Sequence, residues 1–548
     1  MTAPARTKVR FKGKAVPTPL IGSFLLESIT TGMYGERRNA IREYVQNSFD
    51  GIQAALAADI LREGSGKVTI TVDADNKSLI IHDNGVGLPQ RVAVSTLTAV
   101  GASRKELGRQ AGFRGIGRLA GIAFSTSLRF RTKAVGDSVE TIVEFDCDEL
   151  RKGMLSSGRK PAAELITACT TWDQQPVSDT KAHYFEVSLL GLKNPPVEAW
   201  DPLQLGTFLS QVAPVDFHPD FAAFRKKIFD EAEALSPPPV NDENGEDGPD
   251  WSLLNGEEGS MLGRIPVSYV SLFIRSGNPA KDEPVYKPYR PKMGVDDSDN
   301  VPLSAVSVHC GEKSGAWWGW VGHKAKPGEY QKEAVGGIRF RLKNIQVDSN
   351  ELILQVPTTN EQRSTFGRWS EWFVGEIHVD PRAVVPNARR DNFEEDERWL
   401  TIREEITKIC TELTSEARKV SKDHQTSLEV LEDKVGRLRE SYLKVSRAKT
   451  FDLTKVRKVI ADSDKIQKDL EKVSGGAPAP VQLRLKSMAK ELTQIRVSLL
   501  EKPKTPEYEQ FRDAIRREFL DKALSILNDY LDIDLYEEVK VALEKGIR

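Results

Sequence analysis

Two carboxylates and an amide on one face of an otherwise apolar helix constrain this chain more than any bulk property. The stretch "NAIREYVQNSFDGIQAALAADILRE" has helical periodicity through Ile41, Val45, Phe49, Ile52 and Leu56. The spacing i, i+4, i+7 then puts Glu43, Asn47 and Asp50 on one face. A solvated polar stripe has the same pattern. Further on, "IHDNGVGLP" follows an apolar strand, with Asp83 at the strand end and Gly85 and Gly87 free to turn closely around a flat ligand. A plain hairpin turn reads the same way. Third, "GFRGIGRLAG" sets Gly112, Gly115 and Gly117 just before Arg118, Leu119 and Ala120, which read as a first helical turn. Bare glycine amides at a helix start suit a phosphate, although glycine clusters also make ordinary turns.

Composition narrows the classes. A chain of 548 residues is long enough for about three or four domains. Its net charge of −2 implies no whole-molecule attraction to nucleic acid or membrane. Cys147, Cys169, Cys310 and Cys410 are far apart with no C-x-x-C pair, which disfavours a zinc site or disulfide framework and fits a reducing compartment. No apolar run approaches a membrane span, and the first residues lack an apolar signal core, so a cytoplasmic protein is expected.

Texture along the chain suggests three regions. Residues 1–205 mix helices and strands: "KVTITVD" and "SLIIHD" read as a hairpin, with further strands at "SLRFRTKA", "VETIVEFD" and "HYFEVSLLGL". This predicts an α+β sandwich with helices on one face of a mixed sheet. Residues 206–400 hold a second strand-rich region with "IPVSYVSLFIR", "GGIRFRLKNIQV" and "GEIHVDP", and a Pro-, Gly- and acid-rich insert at about 235–260 reads as a mobile loop. Residues 401–548 are long charged helices. Leu428, Leu431, Val435, Leu438, Tyr442 and Val445 are spaced 3,4,3,4,3, the seam of a coiled coil between protomers or of a helical hairpin within one. "EGSGKVT" is no P-loop, because Leu61 and Val68 stand where glycine and Ser/Thr are required.

Taken in order, "EYVQNSFDG", "DNGVG" and "GFRGIG" resemble the N-box, adenine motif and glycine motif of the Bergerat-fold (GHKL) ATPases, the superfamily of gyrase, Hsp90, histidine kinases and MutL, with MORC close by. The resemblance covers roughly residues 20–190. It implies a Bergerat-fold α/β sandwich, a second α/β transducer (middle) domain, and a C-terminal helical or coiled-coil region. It implies ATP and Mg2+, with Asn47 giving an oxygen to the metal, Asp83 accepting the adenine amino group, Glu43 activating the attacking water, and Asp50 near the adenine through water. Gly85 and Gly87 would flank the base. Ser103, Arg104, Lys105, Gly112, Arg114, Gly115, Ile116 and Gly117 would form the lid and phosphate cradle.

The first histidine, His82, falls inside the nucleotide domain, so histidine autophosphorylation is not expected. "GEIHVDPRAVVPNARRDNFEEDERW" is similar to the Hsp90 middle-domain segment with its catalytic arginine, which Arg390 matches best and Arg389 next. Pairing with Asp391, Glu394 and Glu395 is the plainer reading. Glu394 stands where Hsp90 has a glutamine, and its threonine before the last strand is not obvious in "HYFEVSL", which leaves lid closure open. The set is most similar to bacterial Hsp90-like ATP-binding proteins. That implies a slow ATP hydrolase working as an ATP-gated dimeric clamp in a bacterial antiviral-defence or DNA-associated system. The partner would be a protein client, a nuclease or nucleic acid, the last met by Lys8, Arg10, Lys12 and Lys14 or by Arg339, Arg341 and Lys343. A protein chaperone or assembly factor using an exposed Trp317, Trp318 and Trp320, and an ATP sensor with little turnover, are the alternatives.

Overall fold

The computed structural model describes residues 21–30, 37–101, 115, 117–155, 161–238, 249, 251–254, 259–277, 279–294, 300–325, 328–330, 335–347, 351–357, 359–387, 390–425, 428–447, 452–474, 479–500, 513–514, 517, 520–525, 527 and 533–547. They form two compact units, dividing at Ala417 and Arg418.

The first unit opens with helices α1 (Ser23–Thr30) and α2 (Asn39–Ala57) and the hairpin β1 (Lys67–Asp73) and β2 (Ser78–Asp83). After α3 (Ala93–Thr98) come β3 (Ser127–Lys133), β4 (Val139–Asp146), α4 (Cys147–Leu155), α5 (Ala162–Ala168), β5 (Thr170–Pro176) and β6 (Tyr184–Leu190). The hairpin pairs antiparallel from Val68 opposite Asp83 to Asp73 opposite Ser78, which carries Asp83 to the sheet's end. Period-2 alternation sends Val68, Ile70, Leu79, Ile81, Leu128, Phe130, Val143 and Val187 into one core beneath α2, whose Ile41, Val45, Phe49 and Ile52 meet them. This is the expected α+β layering.

The sheet is larger than expected. Its order is β5-β4-β3-β6-β2-β1-β7-β8, where β7 (Ser271–Ser276) lies parallel to β1 and β8 (Lys281–Val285) closes the edge. "SLFIRS" therefore extends the first sheet rather than joining the second strand-rich region. Between β6 and β7 come α6 (Pro202–Val212), capped by Asp201, then α7 (Ala222–Ala234) and α8 (Met261–Arg264). The acidic insert is only partly a loop. Trp251 and Leu254, at either end of a short turn, are buried in the second region's core, while residues 239–248 and 255–258 lie outside the described residues.

A two-stranded ribbon, β9 (Lys292–Gly294) with β10 (Asn300–Pro302), precedes a five-stranded sheet ordered β11-β12-β15-β13-β14. Its strands are β11 (Ala305–Cys310), β12 (Trp317–His323), β13 (Gly337–Leu342), β14 (Ile345–Gln346) and β15 (Val374–Val379). Short helices α9 (Leu352–Gln355) and α10 (Asn360–Gly367) and the long α11 (Glu397–Gln425) complete the region. This sheet is buried on both faces. Trp317, Val321, Ile338, Phe340 and Ile377 pack on α11 through Trp399, Ile402, Ile406 and Cys410, while Trp318 and Trp320 pack on the other side with Phe217, Phe221 and Tyr289.

Two sequence expectations fail on this double burial. Trp317, Trp318 and Trp320 form no exposed client surface; they are core, with the Trp317 indole N–H on Glu405 and that of Trp318 on the Ile265 carbonyl. Arg339 and Arg341 form no nucleic-acid face either, because both are fully buried. Arg341 and Lys287 each bring a nitrogen within 2.6 Å of the buried Glu376 carboxylate, and Lys287 also donates to Asn344. Burial alone would push the Glu376 carboxyl up, but Arg341 and Lys287 outweigh it and hold it well below the usual range. The same burial presses the Lys287 ammonium down to about 7. Removing the one carboxylate strands cations in the interior, so Glu376→Gln should cost about 3–5 kcal/mol in denaturant unfolding.

In the second unit, α12 (Leu428–Arg447), α13 (Leu453–Ser474) and α14 (Ala479–Leu500) pack together, followed by the helix Ile533–Ile547. The seam residues Leu431, Val435 and Leu438 are buried against Val459, Ile466 and Leu470 of α13 and Leu485, Leu492 and Ile495 of α14. Of the two seam readings, packing within one protomer is the one seen. Among the described residues, no helix is long and apolar enough to cross a membrane.

Candidate active site

The polar triplet of α2 sits against the end of β2. Glu43 and Asp50 are buried and Asn47 is half-buried, so the face is an inner surface and not a solvated stripe. Asp83 is almost fully buried and accepts the Gly85 N–H at 2.8 Å. Burial dominates its titration and pushes the carboxyl up to about 7, against the downward pull of hydrogen bonds from the Ser48 side chain and from the Gly85 and Phe185 backbones.

The glycines answer first to protein neighbours. A Cβ at Gly85 would lie 2.7 Å from the Gly51 carbonyl carbon and 2.9 Å from the Ile52 nitrogen, so the "DNG" turn lies directly on α2. Gly51 itself takes the Val86 N–H on its carbonyl at 3.0 Å. Gly87 has φ +66°, and a Cβ there would fall 2.0 Å from the Lys133 carbonyl oxygen. Gly87→Ala should therefore cost more than about 1 kcal/mol in thermal unfolding, with nucleotide affinity falling alongside.

Gly115, at φ +69°, and Gly117 lie where the chain enters a short 3₁₀ helix, Gly117–Ala123, in place of the expected α-helical turn. The Arg118 guanidinium donates to the Gly115 carbonyl at 3.1 Å and also to the Thr96 carbonyl. Tyr44 of α2 accepts the Gly121 N–H at 2.8 Å. Ser103, Arg104, Lys105, Gly112, Arg114 and Ile116 lie outside the described residues, as do Lys8, Arg10, Lys12, Lys14 and Arg389.

Arg390 arrives from the second region. Its loop is closed by a bridge between Pro386 and Phe393, by Asn387 N–H on the Asn392 carbonyl at 2.9 Å, and by Asn387 Nδ2 on Asp391 at 2.6 Å. Phe393 anchors it, buried against Trp399 with ring centroids 4.6 Å apart. Arg390 holds a left-handed φ of 57°, a conformation costly for a side-chain-bearing residue. Its guanidinium hydrogen-bonds the Gln46 amide oxygen and lies 3.8 Å from Glu43 Oε1. Glu395, offered by the plainer reading as an Arg390 partner, pairs with Arg403.

Glu43, Asn47, Asp50, Asp83, Gly85, Gly87 and Arg390 are thus drawn to one region. Sequence reasoning missed Gly51, Ser48, Gln46 and Tyr44, although all lie within or beside the quoted triplet. It also missed Thr132, which takes the Leu88 N–H, and His183, whose Nδ1 lies 2.9 Å from the Gly85 carbonyl. Thr132 lies on β3 and His183 just before β6, both distant in sequence from the turn they meet, and they carry no local signal.

The residues suit an adenine nucleotide. The near-fully buried Asp83 carboxyl already takes donors from Ser48, Gly85 and Phe185, and its remaining acceptor capacity suits one more donor, as an adenine amino group is. Asn47 offers an oxygen of the kind magnesium prefers, and Glu43 stands one turn away. Among the described residues no cluster of three or more His, Cys, Asp or Glu could hold a metal ion.

Residues 36–171 match the model of the histidine kinase-, DNA gyrase B- and HSP90-like ATPases. The chain is also similar to Chaperone protein HtpG of Enterobacter sp. (strain 638), at 26% identity over 154 residues, 23% of this chain and 25% of that one. HtpG of Psychrobacter arcticus gives 27% over 142 residues, 23% and 22% of the two chains. The chain spans about a quarter of the length of these relatives.

Proposed function

We propose that this chain, whose residues 36–171 are a GHKL-type ATPase domain of Hsp90-like kind, hydrolyses ATP slowly and works as an ATP-gated dimeric clamp. The observation that carries the reading is Arg390, on a loop anchored in the second region, reaching Gln46 and lying 3.8 Å from Glu43 on the nucleotide helix. In this reading Asp83 accepts the adenine amino group, with Gly85 and Gly87 beside the base and Asp50 nearby through water. Asn47 would hold Mg2+ through its amide oxygen, and the metal would supply charge neutralisation at the phosphates. Glu43 orients the attacking water and takes its proton, and Arg390 meets the charge growing on the γ-phosphate. Ser103, Lys105, Gly112, Arg114, Gly115, Ile116 and Gly117 hold the phosphates and close over them.

Dimerisation in this reading runs through paired nucleotide domains, because the α12 seam is already covered within its own unit. The test is sedimentation of Glu43→Ala protein. With ATP it should shift to a dimer, and a species that stays monomeric at every ATP concentration would remove the clamp.

The likeness to a chaperone keeps a protein client as the second reading. With the tryptophans in the core, its capture surface lies elsewhere. A defence or DNA-associated role draws on the resemblance and on the basic segment Lys8–Lys14, since Arg339 and Arg341 are withdrawn from solvent. If DNA is bound, its affinity falls steeply with salt.

A further inference from the structure

At the outermost strand of the second sheet, an imidazole stands between a carboxylate and a hydroxyl. His323 Nδ1 lies 2.8 Å and 3.0 Å from the two carboxylate oxygens of Glu416. Its Nε2 lies 2.7 Å from Ser307 Oγ, and His309 Nε2 lies 2.8 Å from the same oxygen. Strand alternation puts Ser307 and His309 on one face of β11, His323 ends the neighbouring β12, and Glu416 comes from α11. Ser307, His309, His323 and Glu416 are all half-buried, so none of the four is sealed in the core.

One proton arrangement satisfies every bond with both rings neutral. His323 Nδ1–H donates to Glu416, its Nε2 accepts the Ser307 O–H, and Ser307 Oγ accepts Nε2–H from His309. Burial lowers the His309 pKa and favours that neutral ring. The order carboxylate, imidazole, hydroxyl is what activates a serine, with the carboxylate fixing the tautomer and the ring taking the proton.

We propose that Ser307, His323 and Glu416 form a second catalytic site, an acyl-transfer centre acting on uncharged or cationic esters. Ser307 Oγ bonds to the ester carbonyl carbon while its proton passes to His323 Nε2. The carbon–oxygen bond to the alcohol then breaks and the alcohol leaves with that proton. Water attacks the acyl-serine, gives a proton to His323, and the Oγ–carbon bond breaks as the proton returns to Oγ, so the sum is ester plus water to acid plus alcohol. β11 is an edge strand. Gly311 N–H bonds the Trp317 carbonyl at 2.9 Å, so alternation turns the N–H of Ser307 and His309 towards β12 and that of Val308 away from it, beside Ser307, where an oxyanion would need a donor. Glu231 and Glu412 lie in the electrostatic reach of His309 and disfavour anionic substrates.

The test uses the full chain with a fluorophosphonate probe and p-nitrophenyl acetate. The adduct should map to Ser307 by mass spectrometry of the unmutated protein. Ester turnover should fall about 10²–10⁴-fold in Ser307→Ala and in His323→Ala, with ATP hydrolysis kept in Ser307→Ala. Glu416→Gln should lower ester turnover less and shift its pH profile. A hydrogen-bond chain that only ties β11 to α11 would give no adduct at Ser307, or ester turnover unchanged in Ser307→Ala, and either result overturns the proposal.

Discussion

Glu43→Ala protein should bind ATP as the parent does and turn it over about 10²–10⁴-fold more slowly, the usual worth of a positioned general base. In the proposed reading binding survives, because base recognition is assigned to Asp83 and phosphate recognition to Asn47 and the glycine segment, none of which the substitution touches. Arg390→Ala falls further, by about 10³–10⁵-fold, if its guanidinium serves as the arginine that meets transition-state charge. The two side chains lie 3.8 Å apart and, in the proposed reading, act on the same transferring group. Their losses therefore do not add, and the double variant is little slower than the worse single one. Arg390→Lys keeps a charge but loses the fork that reaches Gln46 and a phosphate oxygen together, and should recover little. Phosphate release at saturating ATP, with affinity measured separately by calorimetry, reads both quantities. Equal turnover in parent and Glu43→Ala would reject the base, and an Arg390→Ala defect confined to affinity would reject the arginine's transition-state role.

How much of this was legible in the sequence depends on how local the cause is. Glu43, Asn47 and Asp50 share a face by helical geometry alone, and Asp83 ends a strand whose hairpin partner lies nearby in sequence. Those placements follow from short-range periodicity. The alternation in "GIRFRL" was equally visible, yet it misled. A period-2 pattern of Arg339 and Arg341 against Ile338, Phe340 and Leu342 reads as a half-exposed strand, whereas β15 supplies Glu376 and a layer of aromatics covers the arginines. That cover comes from residues 217–321, far from the strand. Likewise "GAWWGWVGH" gave no sign that both faces of β12 would be packed. The parallel strand β7 joins β1 across some 200 residues, a pairing that only the assembled sheet reveals. Arg390 was reachable through resemblance, but the anchor at Phe393 and the left-handed backbone at Arg390 belong to tertiary structure.

If Asp83 receives the adenine amino group as proposed, nucleotide binding is coupled to protons, and the sign follows from the burial of this carboxyl. In the free protein burial pushes the carboxyl up to about 7, against an ordinary value of 3.8. Between those two values the unfolded chain carries the charge and the folded one resists it, so this group's contribution to stability falls as pH rises from about 4 to 7 and is level above. Ligand binding has the opposite slope. An adenine amino group donates to the ionised carboxylate, favours that form and lowers its pKa in the complex. Below 7, binding must therefore expel a proton, and affinity rises with pH by up to about tenfold per unit until it levels near 7. Adenosine is the better probe, having no phosphate that titrates in the same range. Asp83→Asn puts an amide where the acceptor stood and should weaken ATP about ten- to hundredfold. It should also abolish the pH slope for adenosine and the proton release seen by calorimetry in buffers of different ionisation enthalpy. An Asp83→Asn protein that holds ATP as tightly as the parent, or adenosine affinity that stays flat from pH 5.5 to 8 in the parent, would take the base-recognition role away from this carboxylate.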